Sequence, residues 1–148
     1  MLVGEEAILN ITTYTLEGGK MKTTRSAVNR LTSEGCNFKV YEPPVKAGLL
    51  QKLEQVSDDW LHHLGQKEVA FTQGIFDQTL LKGHTILTVE NAEEKVLAFL
   101  NIIPDYAPGE ATYDLIRKTE DSPNGVLDML LAKTFMYLKE KGYTSVNM

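Results

Sequence analysis

From Val96 to Ile103 the chain runs eight residues with Asn101 as their one polar member, and Pro104 ends the run. It reads as a buried strand. The residues that follow sharpen the constraint. Tyr113-Asp114-Leu115-Ile116-Arg117 sets an acid and an arginine beside buried strands, and Ser122-Pro123-Asn124-Gly125 then opens a helix. Charge in such surroundings is costly unless it has a task. The chain must therefore build a sheet with a well-covered centre and keep ionic groups close to it.

The other elements follow from periodicity. Glu6 to Tyr14 alternates and is rich in Ile and Thr, which predicts a strand. Lys20 to Ser33 carries Met21, Ala27, Val28 and Leu31 at helical spacing, and Gly35 closes it. Asn37 to Tyr41 alternates into a second strand. Leu49, Leu53, Val56, Trp60 and Leu64 recur at steps of three and four, so this helix buries one stripe, Trp60 included, up to Gly65. Strands are expected at Thr85 to Val89, Val96 to Ile103 and Ala111 to Lys118, with Asn91 to Glu94 as a hairpin turn. The last helix, about Pro123 to Lys141, has apolar residues on more than one face and belongs against a sheet; Ser122 or Asn124 is its expected cap. Thr144 to Met148 begins a further strand.

Composition excludes several classes. With 148 residues, 43% hydrophobic, the chain has room for one core. A single cysteine, Cys36, makes no internal disulfide, and three histidines offer no Cys/His cluster at metal-ligand spacing. Cys36 is expected to be a small buried hydrophobe, and His62 and His63 suit a helix C-terminus. No stretch reaches the roughly 20 apolar residues of a membrane helix. The net charge of -5 argues against coating nucleic acid, yet residues 20 to 52 hold seven basic groups against two acids. That segment is suited to a phosphate backbone, or to being a solvated helix face.

This order of residues resembles the C-terminal catalytic domain of the phosphatidylglycerol lysyltransferase family, also called multiple peptide resistance factor. The resemblance runs through Gly4-Glu5-Glu6-Ala7, Arg25 to Arg30, Phe71 to Asp77, the Val96 to Gly125 stretch and Lys139-Glu140-Lys141-Gly142-Tyr143. Gln73 and Ile75 depart from the family's usual residues. The resemblance implies a GNAT-like acyltransferase fold of α/β (α+β) class, a mixed and mostly antiparallel sheet flanked by helices. Residues 1–35 are expected to be a strand and basic helix leading in, and 36–148 a partial GNAT-like domain. Family members continue past the last strand, so the domain is expected to be incomplete, without part of the site and without the membrane-spanning region of full-length members.

The implied activity is transfer of an amino acid, lysine first, from aminoacyl-tRNA to the anionic phospholipid phosphatidylglycerol, at the inner face of the cell membrane. Exchange of one ester for another needs no redox or metal cofactor; it needs positioning and charge stabilisation. Asp114 and Arg117 match family positions required for activity. In a regular strand residues i and i+3 point to opposite faces, so the pair shares a site only if the strand bulges or ends between them. Arg117 then suits a phosphate, and Asp114 either the amino group or the lipid hydroxyl; the alternative is a structural ion pair. Asn124 and Gly125 open a helix whose free N–H groups can bind an anion or simply be capped. Arg25 and Arg30 are candidates for tRNA, and Tyr106 and Tyr113 for a lipid groove.

Two rival readings are an acetyl-CoA-dependent GNAT N-acetyltransferase and a non-catalytic module of the same fold. The first lacks the glycine-rich phosphate loop, since Thr119 to Gly125 carries two acids and one glycine. If Thr144 to Met148 leaves an open edge, homo-oligomerisation through that strand is expected.

Overall fold

The computed structural model describes residues 8–12, 14, 15, 17–64, 81–103 and 110–147. Their elements in chain order are β1 (Ile8–Asn10), α1 (Lys22–Ser33), β2 (Asn37–Tyr41), α2 (Ala47–Leu64), β3 (Thr85–Glu90), β4 (Val96–Ile103), β5 (Glu110–Lys118), α3 (Val126–Glu140) and β6 (Ser145–Asn147). The predicted Gly4 to Ala7 and Phe71 to Asp77 segments, Gly65 and Tyr106 lie outside the described residues.

The hairpin turn at Asn91 organises the sheet. Asn91 donates its backbone N–H to the Lys95 carbonyl at 3.0 Å, and its side-chain oxygen accepts the N–H groups of Glu93 and Lys95. This Asx geometry is why asparagine suits the position. β2, β3, β4 and β5 then form an antiparallel meander. After α3 the chain returns parallel to β5, where Ala111 pairs with Val146. The strand order is β1-β6-β5-β4-β3-β2, the mixed, mostly antiparallel sheet expected.

One expectation is corrected here. The far edge of β6 is not open, because β1 pairs with it antiparallel, Leu9 opposite Val146. The backbone groups that were to recruit another chain are already bonded, so the stated reason for oligomerisation is gone.

Helices cover both faces. α1 and α3 lie on one side over Leu87, Val89, Leu100 and Ile102, and α2 on the other over Ile86, Val96 and Phe99. The helix α3 buries Met129, Leu130, Ala132, Phe135 and Leu138 because it is held between the sheet and α1, which accounts for its wide apolar surface. Tyr14 meets Phe135 edge-on at 5.2 Å. Gly35 ends α1 at φ +96°, and the Cys36 N–H reaches back to the Leu31 carbonyl at 2.9 Å. Along α2, Leu53 and Val56 are buried as predicted, Leu50 is buried beside them, and Leu49 is only partly buried. Trp60 is only partly buried, so the stripe loosens toward the end of the helix.

The cap of α3 differs from expectation. Neither Ser122 nor Asn124 caps it; the N-cap is Gly125 at φ 88°, with no side-chain bond. The Ser122 hydroxyl instead donates to the Thr119 carbonyl at 2.7 Å. A Cβ on Gly125 would lie 2.8 Å from the Ala27 Cβ, so the close approach of α1 selects glycine here.

On the α2 face, Glu90 is 2% exposed yet satisfied: it accepts the Tyr41 hydroxyl at 2.5 Å and the Thr88 hydroxyl at 2.8 Å, and pairs with Lys39 at 3.4 Å. Burial, then the bond to Glu90 and its charge, pushes the Tyr41 phenol far above its ordinary value. Tyr41→Phe is expected to cost about 1–3 kcal/mol at neutral pH, by leaving a buried carboxylate short of a donor. Because the folded phenol holds its proton more tightly than the unfolded one, this contribution is complete below about pH 10 and is lost as pH rises toward the folded value. Urea titrations across alkaline pH will show a shallower decline for Tyr41→Phe than for the parent chain.

Candidate functional site

The strand β5 carries a bulge between its two charged candidates. Phe99 pairs with Arg117 and Leu100 with Ile116, but Ile102 pairs with Tyr113, so Asp114 and Leu115 together stand against Asn101. The one-residue slip undoes the alternation that would separate positions 114 and 117. The register positions of Asn101 and Phe99 lie on one face, the face covered by α2.

Arg117 sits at the Phe99 position and is 3% exposed. It is more deeply enclosed than a solvent-facing side chain, so its replacement will affect stability. Asn101 is fully buried and bonded to His84, Nδ2 to Nδ1 at 3.0 Å. Neither residue was singled out for chemistry in the sequence. The available signal was Asn101 itself, a lone amide in an apolar strand, which needs a buried partner.

Just beyond Arg117, a cleft of about 780 Å³ opens between α2, the Asn91 turn and the end of β5. Lys52, Asp59, Lys95, Glu120 and Asp121 line it, and Arg25, Arg30, Arg117, Asn124 and Gly125 do not. Its charges are largely committed locally. The Glu120 N–H donates to Asp59 at 2.5 Å, Lys95 pairs with Asp121 at 3.3 Å, and Lys52 donates to the Glu94 carbonyl at 3.4 Å. The Thr119 hydroxyl, with Lys95 beside it, holds the Asp121 carboxyl below its ordinary value.

The remaining candidates gather on the α1 and α3 side. Arg30 donates from its guanidinium to the Asn124 carbonyl and approaches Gly125, so these three come together at the junction of the two helices. Arg25 is partly buried and donates to the Gly18 carbonyl at 3.4 Å. Tyr113 packs, partly buried, against the core. The two groups of candidates are thus divided by the sheet. Cys36 is buried, and that burial, followed by the charge of Glu34, pushes its thiol up, away from a nucleophile's thiolate. Among the described residues no three His, Cys, Asp or Glu are grouped to share a metal ion, and no helix is long and apolar enough to cross a membrane.

Comparison with known proteins gives this geometry its setting. The family model "Phosphatidylglycerol lysyltransferase, C-terminal" matches residues 1–148. The chain belongs to the phosphatidylglycerol lysyltransferase family. It is 40% identical over 146 residues to the phosphatidylglycerol lysyltransferase of Bacillus subtilis (strain 168), covering 99% of this chain and 17% of that protein. The chain therefore spans about a sixth of that lysyltransferase's length. The solved structure of L-PGS from Bacillus licheniformis superimposes with a TM-score of 0.84 at 37% identity, over 97% of this chain and 43% of that one. A GCN5-related glucosamine N-acetyltransferase region of a fungal β-N-acetylglucosaminidase superimposes at TM-score 0.59 and 12% identity, over 95% of this chain and 17% of that one. This last likeness establishes the GNAT-like fold alone, which the lysyltransferase family shares here.

Proposed function

We propose that this chain forms part of a transferase that moves a lysyl group from lysyl-tRNA to phosphatidylglycerol, working at the inner face of the cell membrane. The observation that carries this reading is the β5 bulge, which brings positions 114 and 117 to register positions on one face. In the reaction the lipid glycerol oxygen adds to the lysyl ester carbonyl, and the ribose oxygen then leaves with the proton that the glycerol hydroxyl gave up. Asp114 is assigned to the amino group or the acceptor hydroxyl. Arg117 is assigned to phosphate or developing negative charge, for which its planar fork is suited. Arg25 and the basic start of α1 are assigned to the tRNA backbone.

The acetyl-CoA reading is disfavoured by the turn before α3. The Thr119 N–H donates to the Leu97 carbonyl, that of Glu120 to Asp59 and that of Ser122 to the Thr119 carbonyl. A pyrophosphate would meet committed amides and two acids.

The test places this chain in the Bacillus subtilis lysyltransferase in place of its matching segment. The chimera is supplied with radiolabelled lysyl-tRNA and phosphatidylglycerol vesicles. Labelled lipid is the expected product. No labelled lipid, together with micromolar acetyl-CoA binding by calorimetry, would transfer the chain to the acetyltransferase class.

A further inference from the structure

Asn101 and His84 form a polar pair beside the bulge that the proposed transfer has not yet used. Asn101 is fully buried in the middle of β4, and the two bulge residues stand against it in the register. His84 enters β3 two residues before Ile86, the residue that pairs with Asn101. Its backbone N–H is anchored to the Leu81 carbonyl at 3.0 Å, and its ring Nδ1 lies 3.0 Å from Asn101 Nδ2. The pair thus flanks the bulge at the end opposite Arg117, on the same face of the sheet.

An amide nitrogen can only donate, so the partner Nδ1 must present its lone pair. A neutral imidazole accepting at Nδ1 carries its proton on Nε2. We propose that Asn101 is a positioning residue that fixes this tautomer, and that His84 offers its Nε2–H to the carbonyl oxygen of the transferred acyl group. His84 is partly exposed whereas Asn101 is not, so the ring nitrogen facing away from Asn101 is the one a substrate can reach. As the acceptor oxygen adds to the ester carbon, the carbonyl electron pair moves onto oxygen. The Nε2–H donates a hydrogen bond to that charge and keeps its proton throughout. Uncharged imidazole is a competent donor to a developing oxyanion.

This role rests on the transfer reading, but the tautomer does not, and the experiment separates them. Long-range ¹⁵N–¹H correlation spectra of the chain, assigned with His84→Gln, are expected to show His84 neutral with its proton on Nε2. Asn101→Leu should mix the tautomers. A proton on Nδ1 in the parent chain overturns the proposal without any need for the variant to fold, as does a tautomer that Asn101→Leu leaves unchanged. In the chimera, His84→Phe is expected to lower kcat about 100-fold with little change in KM for lipid, and His84→Gln, which keeps an N–H donor, to recover part of the loss. Parental kcat in His84→Phe overturns the catalytic role. A parent chimera that makes no lysyl-lipid overturns the transfer reading alone, while the spectra still decide the pairing.

Discussion

Arg117→Ala in the chimera is expected to reduce lysyl transfer by about 100-fold to 1,000-fold, the range found when one preorganised charge-stabilising donor is removed. Arg117→Lys should fall between the two, because an ammonium keeps the charge and loses the planar fork. The change also costs stability. Arg117 is 3% exposed beside Phe99, so truncation leaves its surroundings without a large buried group, a loss of about 1–3 kcal/mol. Measuring kcat together with the urea midpoint separates the two effects. If Arg117→Lys restores stability but not transfer, the guanidinium acts on substrate. If both recover together, the residue is a structural tie between strand and helix.

Gly125→Ala is expected to destabilise the fold by about 2–5 kcal/mol. Two costs combine: a left-handed backbone at φ 88° penalises any Cβ by about 1–2 kcal/mol, and overpacking adds about 1–3 kcal/mol. The second arises because the new methyl would sit 2.8 Å from the Ala27 Cβ and 3.1 Å from the Arg30 guanidinium. Ala27→Gly in the same chain should return the overpacking part and leave the backbone part, which a double-mutant cycle in urea will resolve. A loss of only about 1–2 kcal/mol would mean that α1 moves away from α3 at no cost and that the backbone part alone remains.

The central meander was readable because its information is local. Val96 to Ile103 announces a buried strand, and Asn91 carries its own turn chemistry. The bulge was readable only as a condition: two charged residues three apart on a strand share a face only if the alternation breaks between them, and the register contains such a break. The start of α3 was misread because Ser122 and Asn124 are good caps by type. What decides the position is the distance to Ala27, nearly 100 residues earlier, and no local pattern contains it. His84 was missed on the same grounds. Its partner Asn101 is on another strand, and a histidine in a connecting segment looks like any solvated one until that bond is seen. The division of Arg30, Asn124 and Gly125 from Arg117 by the sheet is equally a property of layering, which periodicity alone does not order.

Ile8 pairs with Asn147, which makes neighbours of strands that lie at opposite ends of the sequence. For folding, this is the most expensive loop in the molecule to close, since nearly every other residue lies inside it. The β2 to β5 meander joins near neighbours in sequence and can assemble first. The β1–β6 ladder rewards the chain only after α3 has docked and delivered β6 beside β5. It should be the last ladder to form and the first to open, so the amides of β1 will exchange at a lower free energy than those of β3 and β4. The sheet is then a two-stage device: a stable meander, and a three-residue strand that closes over its flank like a clasp.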